Sequence, residues 1–301
     1  MSSSTALRNA FAAGRLRRTR AVLGLFKLRI GAVIAVTALA GWAVASGPGL
    51  NAWQVVVLGM AVFLSSASAG AFNQYVERDI DARMKRTRRR AFVTGELRHT
   101  RVWLGVILAL VAVSTVAAWW ALNGWAALYT FLGAFFYAVV YTVWLKRRTW
   151  LNIVIGGLAG SFAVLAGAAA VDPQIGAVPS ILAVILFLWT PPHFWSLAIA
   201  YRKDYEAARV PMLPVVVGDA RAAQAIFVHA AVLVALSALP GVLGLGPVYL
   251  LGAGVGGSLL LRRCWQLLRE PGPPRAMAAF HASLTQLSLL LLGAIVDGIW
   301  W

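Results

Sequence analysis

Charge is scarce in this chain, and acid is scarcer still. Only 12% of its 301 residues are charged, ten of them acidic against 27 Lys and Arg. A soluble domain carries about twice that share of charge, so an ordinary soluble fold is excluded. A single cysteine, Cys264, rules out an internal disulfide and a cysteine-built metal cluster. No charged residue occurs from Ile30 to Val76, from Val102 to Leu145 or from Ala222 to Leu261. Thr149 to Tyr201 holds only Asp172, and Ala276 to Trp301 only Asp297. Internal repeats are also missing. The first 29 residues lack an apolar core, so no cleavable secretory signal is expected there.

Apolar residues fill the space, at 60% of the chain and a mean hydropathy of +0.77. A bilayer core needs roughly 20 apolar residues per helix. Four of the charge-poor stretches are long enough for two spans each and the last for one, which predicts an all-α polytopic membrane bundle of nine transmembrane helices. Helix breakers mark the hairpin tips at Ser46-Gly47-Pro48-Gly49, Leu122-Asn123-Gly124, Asp172-Pro173 and Leu239-Pro240-Gly241. The expected spans are 30–46, 53–76, 102–121, 125–145, 151–171, 177–201, 222–239, 245–261 and 278–300.

The basic residues give an independent test of that count. All 27 lie before residue 30, at 78–101, at 146–148, at 202–221 or at 262–275. With nine spans these five places share one side of the membrane, and the positive-inside rule makes that side the cytoplasm, with the C-terminus outside. The expected organisation is a basic cytoplasmic segment, 1–29, followed by a membrane domain, 30–301, in the cell (inner) membrane. The net charge of +17 is read as topology plus attraction to anionic membrane lipids, not as nucleic-acid binding.

The most informative segment is Asn73-Gln-Tyr-Val-Glu77-Arg-Asp79-Ile-Asp81, at the cytoplasmic end of the second span. If the helix runs on, Asn73, Glu77 and Asp81 share one face, drifting about 40° per step, while Asp79 points to the flank. Oxygen ligands on one face, beside many arginines, suit a hard cation such as Mg²⁺ holding a polyphosphate. The same residues also fit a solvated loop of alternating charge. Lys146 and Arg147, closing the fourth span, fit phosphate contacts and ordinary cytoplasmic anchors equally. The sixth span carries Trp189-Thr-Pro191-Pro192-His193-Phe194-Trp195. Prolines free carbonyls inside a span, and a histidine at bilayer depth needs a partner. His193 fits either a structural tie or a substrate contact.

Four stretches in order resemble the haem O synthase family, a branch of the intramembrane prenyltransferase superfamily. They are Asn73 to Arg90, Lys146-Arg147-x-Thr149-x-x-Asn152, Thr190-Pro-Pro-His-Phe-Trp195, and Asp204-Tyr205 through Val210-Pro-Met-Leu-Pro-Val-Val-x-Gly218. The resemblance runs from about residue 22 to the C-terminus. It implies a helical bundle around a central cavity open to the cytoplasmic side, and transfer of the farnesyl group of farnesyl diphosphate to a vinyl group of haem B. By the same resemblance Asn73, Glu77 and Asp81 hold Mg²⁺ as the catalytic centre, and Arg86, Lys146 and Arg147 contact the diphosphate. Asp204 and Tyr205 form a second acidic corner, and His193 contacts haem through iron or a propionate. Haem A synthase is a candidate partner. The chain departs from the superfamily pattern at Glu77, more often aspartate, and at Ala208, where a second aspartate usually follows Asp204.

Tyr137, Tyr141, Trp189 and Trp195 fall near the cytoplasmic third of their spans, where π faces suit an allylic cation as well as an interfacial belt. The alternative acceptor is an aromatic or quinone precursor, which would share the acidic site. A transporter is disfavoured because no ionisable relay crosses the interior.

Overall fold

The structure, a computed structural model, describes Gly14 and residues 17–300. Most of the basic segment expected at 1–29, and Trp301, lie outside the described residues. The long helices are α1 (Leu28–Ala43), α2 (Ala52–Val76), α3 (Arg101–Ala121), α4 (Gly124–Phe135), α5 (Leu158–Val171), α6 (Ala177–Ala200), α7 (Asp219–Leu236), α8 (Pro247–Arg269) and α9 (Pro273–Trp300). α4 continues without a break as a π-helix, Phe136–Leu145, and α5 is preceded by a short helix, Asn152–Gly156. No strand occurs among the described residues. Consecutive helices pack on one another all the way round, and α9 closes the ring on α1; α1 against α5 and α6 against α9 bridge its middle.

Among the described residues, eight helical segments are long and apolar enough to cross a membrane. The exception is α8, which stands where a span was expected but runs on through Arg262, Arg263 and Arg269. Its remaining length is rich in glycine: Gly252, Gly254, Gly256 and Gly257. Large side chains such as Trp119, Trp120, Leu251 and Val242 face outward, as lipid contact requires. The protein is a multi-pass membrane protein.

Side chains at one predicted hairpin tip, and just after another, hold the turns. Asn51 caps α2 by accepting from the Gln54 amide at 2.9 Å, and Gln54 Oε1 accepts from the Asn51 amide at 3.1 Å. Gln54 Nε2 then reaches the Ala121 carbonyl at the end of α3, at 3.0 Å. Asn123 caps α4 through the Ala126 amide at 2.9 Å and donates to the Ala169 carbonyl of α5 at 2.7 Å. One tip is misplaced in the sequence reading. Leu239, Pro240 and Gly241 lie inside a short helix, Leu239–Val242, and the chain reverses after it, where Gly244 takes a φ of 105°. Proline near a helix start loses only an N–H that has no intrahelical partner anyway.

Packing rests on small residues. A Cβ at Gly41 would run into the Val164 carbonyl, and one at Gly167 into the Ala38 carbonyl, so α1 and α5 touch backbone to backbone. On α8 and α9, Gly252 meets the Leu289 carbonyl and Gly293 meets Tyr249 Cα in the same way. Lipid gives helices no hydrophobic reason to associate, and close backbone approach replaces it.

Gly167→Val is therefore expected to destabilise the bundle by about 1–3 kcal/mol, read as a lower unfolding temperature in detergent. Gly254→Ala, with nothing within 4 Å of the new Cβ, should match the unmodified protein. Equal melting of the two variants would contradict the α1–α5 contact.

Candidate active site

α2 ends at Val76, and Glu77 sits at the junction with a short helix, Arg78–Arg83. The bend is slight enough that the hydrogen-bond ladder survives. The Glu77 amide donates to the Asn73 carbonyl at 3.0 Å and the Asp81 amide to the Glu77 carbonyl at 2.8 Å. The predicted shared face follows from that ladder: Asn73, Glu77 and Asp81 are all buried, while Asp79 is exposed on the other side.

Each of the three buried groups has its own cation, drawn from a different part of the chain. Lys27 Nζ donates to Asn73 Oδ1 at 2.7 Å. Lys146 Nζ donates to Glu77 Oε2 at 2.5 Å. Arg90 Nη1 donates to both Asp81 oxygens, at 2.8 and 2.7 Å. Glu77 Oε1 is buried without a hydrogen-bond partner among the described residues. Burying ions costs several kcal/mol each before their mutual attraction is counted, so such a cluster is a mark of function more than of stability.

Local backbone features aim these cations. Lys27 interrupts the helical run Arg17–Ala43 in a left-handed conformation, φ 48° and ψ 46°. For a non-glycine residue that costs of order 1–3 kcal/mol, and it turns the side chain toward α2. Gly70, one turn before Asn73, leaves room for the lysine stem, whose Cδ would lie 3.3 Å from a Cβ there. The π-helix brings Lys146 in at the end of α4, its amide bonded to the Tyr141 carbonyl five residues back at 2.9 Å. Wide turns of this kind are frequent at functional sites. The same element supplies Thr142, which accepts from Asn73 Nδ2 at 3.1 Å.

Two tyrosines line the cations. Tyr137 and Tyr141 stack with ring centroids 5.6 Å apart. Lys27 lies 5.7 Å from the Tyr137 centroid and Lys146 5.5 Å from that of Tyr141. Gly156 opens the space for the Tyr141 ring.

The other predicted residues sit around this centre. Asp204, buried, accepts from the Arg86 amide at 3.0 Å, which ties the loop after α2 to the loop after α6. The Arg86 guanidinium lies over the Tyr201 ring, 5.6 Å from its centroid. Tyr205 is buried beside them. Arg147 forms a two-pronged pair with Asp79 at 2.8 and 2.7 Å, at the exposed rim. That guanidinium holds the Asp79 carboxyl below the usual carboxylate range.

His193 lies deeper, seven residues before the end of α6, about 10 Å along the helix axis. Its ring is stacked between Trp189 at 4.2 Å and Phe280 at 4.4 Å, and Nδ1 lies 2.7 Å from Ser283 Oγ.

Sequence reasoning missed Lys27, Arg90 and Thr142 as members of the site. Lys27 counted only as one basic residue before the first span and Arg90 as one of nine in the next loop. Nothing in local spacing distinguishes them, because their roles come from tertiary approach. Among the described residues no three His, Cys, Asp or Glu side chains gather as a metal cluster. The donor set nevertheless fits a hard divalent cation: an amide oxygen and two buried carboxylates, one of them with a free oxygen.

The model of the UbiA prenyltransferase family matches residues 34–289. The chain is 50% identical over 278 residues to "Protoheme IX farnesyltransferase 2" of Paramagnetospirillum magneticum, covering 92% of this chain and 96% of that one. It is 45% identical to "Protoheme IX farnesyltransferase 1" of the same organism, covering 93% and 99%. Among solved structures, a digeranylgeranylglyceryl phosphate synthase superimposes with a TM-score of 0.77 at 18% identity, covering 95% of this chain and 100% of that one. A UbiA homologue from Archaeoglobus fulgidus, bound to GPP and Mg²⁺, gives 0.68 at 16% identity, covering 90% and 99%. These two likenesses speak for the fold, and the curated relatives for the branch. The chain belongs to the UbiA prenyltransferase family, within its protohaem IX farnesyltransferases.

Proposed function

We propose that this protein transfers the farnesyl group of farnesyl diphosphate to a vinyl group of haem B, giving haem O and releasing diphosphate. The observation that carries the reading is the cluster of Asn73, Glu77 and Asp81, each buried and each met by its own cation, at one mouth of an apolar helical ring. Asn73, Glu77 and Asp81 would hold Mg²⁺, which when bound neutralises negative charge building on the departing diphosphate.

The chain's own side chains supply the rest. Lys27, Lys146 and Arg90 bring positive charge to the diphosphate from three directions, with Arg86 and Arg147 at the rim; preorganised charge of this kind is worth most in a water-poor site. Asp204 holds the Arg86 backbone in place and, with Tyr205, forms the second corner. The stacked faces of Tyr137 and Tyr141 stabilise positive charge at the allylic carbon, by about 0.5–2 kcal/mol per contact. Apolar walls keep water from that carbon until the electron-rich vinyl group bonds to it. Water then adds to the cation left on the haem side chain and gives up one proton to solvent, leaving the hydroxyl. His193 contacts the haem.

The same reading places nine spans, α8 included, in the cell (inner) membrane with the N-terminus and the basic loops in the cytoplasm. A central cavity opens on that side. Its support is the confinement of all 27 Lys and Arg to five places that nine spans put on one face.

Purified protein incubated with haem B, farnesyl diphosphate and Mg²⁺ should yield hydroxyethylfarnesyl haem by mass spectrometry. Prenylation of a quinone precursor with haem left unmodified would replace this function with the other acceptor class. Asp81→Asn should lower turnover by about 100-fold or more while the protein still melts cooperatively in detergent; full activity would remove the acidic centre. Lys27→Met should lower kcat/KM for farnesyl diphosphate by about 10–100-fold, in the range of a lost charged hydrogen bond, and leave haem binding unchanged. An unaltered kcat/KM would return Lys27 to the role of a membrane anchor.

A further inference from the structure

The hydrogen bonds around His193 fix more than its position. Ser283, on α9, has one hydroxyl proton. Its Oγ lies 2.7 Å from the Phe280 carbonyl, which can only accept. With the proton spent there, Ser283 Oγ is left as an acceptor for His193 Nδ1, 2.7 Å away. With the proton assigned in this way, the ring is the tautomer protonated on Nδ1, and Nε2 carries an in-plane lone pair. Nε2 has no hydrogen-bond partner among the described residues.

The ring's faces are closed as well. Trp189 covers one side with an interplanar angle of 20° and Phe280 another with 28°, while Phe194 meets the ring edge-on at 4.9 Å. Trp189 is itself pinned, its Nε1 donating to the Ser283 carbonyl at 2.9 Å. A porphyrin cannot stack on a ring sandwiched in this way. Contact is possible only along the edge that carries Nε2, and an Nε2 without a proton has nothing to donate to a propionate. What a neutral imidazole lone pair takes is a Lewis acid.

We infer that Ser283 is a positioning residue that presents His193 Nε2 as an axial ligand to the iron of the haem substrate. The inference rests on the proposed use of haem B as acceptor, and it replaces the choice between iron and propionate with iron alone. The Nε2 lone pair forms the coordinate bond, and no group is oxidised, reduced or transferred. Ligation along the imidazole plane would set the porphyrin across that plane, so the clamp on the ring also fixes the tilt of the macrocycle. A partner for the distal N–H raises a ligating histidine's basicity and fixes its orientation, and loss of such a partner typically costs 10–100-fold in metal affinity.

The test uses the full-length protein in detergent with ferric and ferrous haem B, read by absorption, electron paramagnetic resonance and the iron–histidine stretch in resonance Raman spectra. Histidine ligation is expected in the unmodified protein. His193→Gly should lose it, and added imidazole should restore it. Ser283→Ala should weaken haem binding by about tenfold and lower the iron–histidine frequency, while Ser283→Thr, which keeps the hydroxyl, should recover both. A histidine signature that persists in His193→Gly, or an iron–histidine frequency unmoved in Ser283→Ala, overturns the inference. Unmodified protein that forms haem O while showing no histidine ligation overturns it too and leaves the farnesyl transfer standing. Failure to form haem O at all would instead fell the reading on which the inference rests.

Discussion

Three contacts of a cation with a buried polar group, two with carboxylates and one with an amide, organise one end of the bundle. Glu77 with Lys146, Asp81 with Arg90 and Asn73 with Lys27 each join residues from separate elements. Together they tie the end of α2 to the start of α1, to the π-helix after α4 and to the following loop. Removing one member of either carboxylate pair leaves its partner charged in a buried setting, a loss of about 3–5 kcal/mol. Replacing both members by packed apolar groups would often cost nothing. Stability therefore gives no reason to keep these ions, whereas the proposed diphosphate substrate would.

Much of the fold could be read from the chain because the bilayer restricts it so severely. Nearly every expected span matches a helix within a few residues, since an uncharged run of that length has no other stable conformation in lipid. The failures lie where tertiary detail overrides local signals. Leu239-Pro240-Gly241 reads as a turn, but proline opens a short helix there and the reversal falls to Gly244. α8 runs past its expected end because its arginines continue the helix beyond the apolar stretch.

The candidate site was legible in part, and for a physical reason. Asn73, Glu77 and Asp81 are four residues apart, so helix geometry alone puts them on one face. Their burial follows from that face turning inward. Lys27 and Arg90 are invisible to any argument from spacing. One lies 46 residues from its partner, and its reach depends on a left-handed backbone that the sequence does not announce. The role of Ser283 is hidden for the same reason, because it acts on a histidine 90 residues away.

The pairing of acids with cations also bears on how one site could take both a metal and a polyanion. Carboxylates alone would repel a diphosphate, and lysines and arginines alone would repel a divalent cation. Side by side in pairs, the two sets nearly cancel, which keeps such a cluster tolerable in a low-dielectric ring. Lys27 is the exception: its contacts, Asn73 Oδ1 and Tyr137 Oη, are neutral. In the proposed reaction the acids would turn to a metal and the cations to phosphate oxygens, so each charge would exchange one opposite neighbour for another and Lys27 would gain an anion. A cluster balanced in this way can load a highly charged substrate without at any stage burying a large net charge.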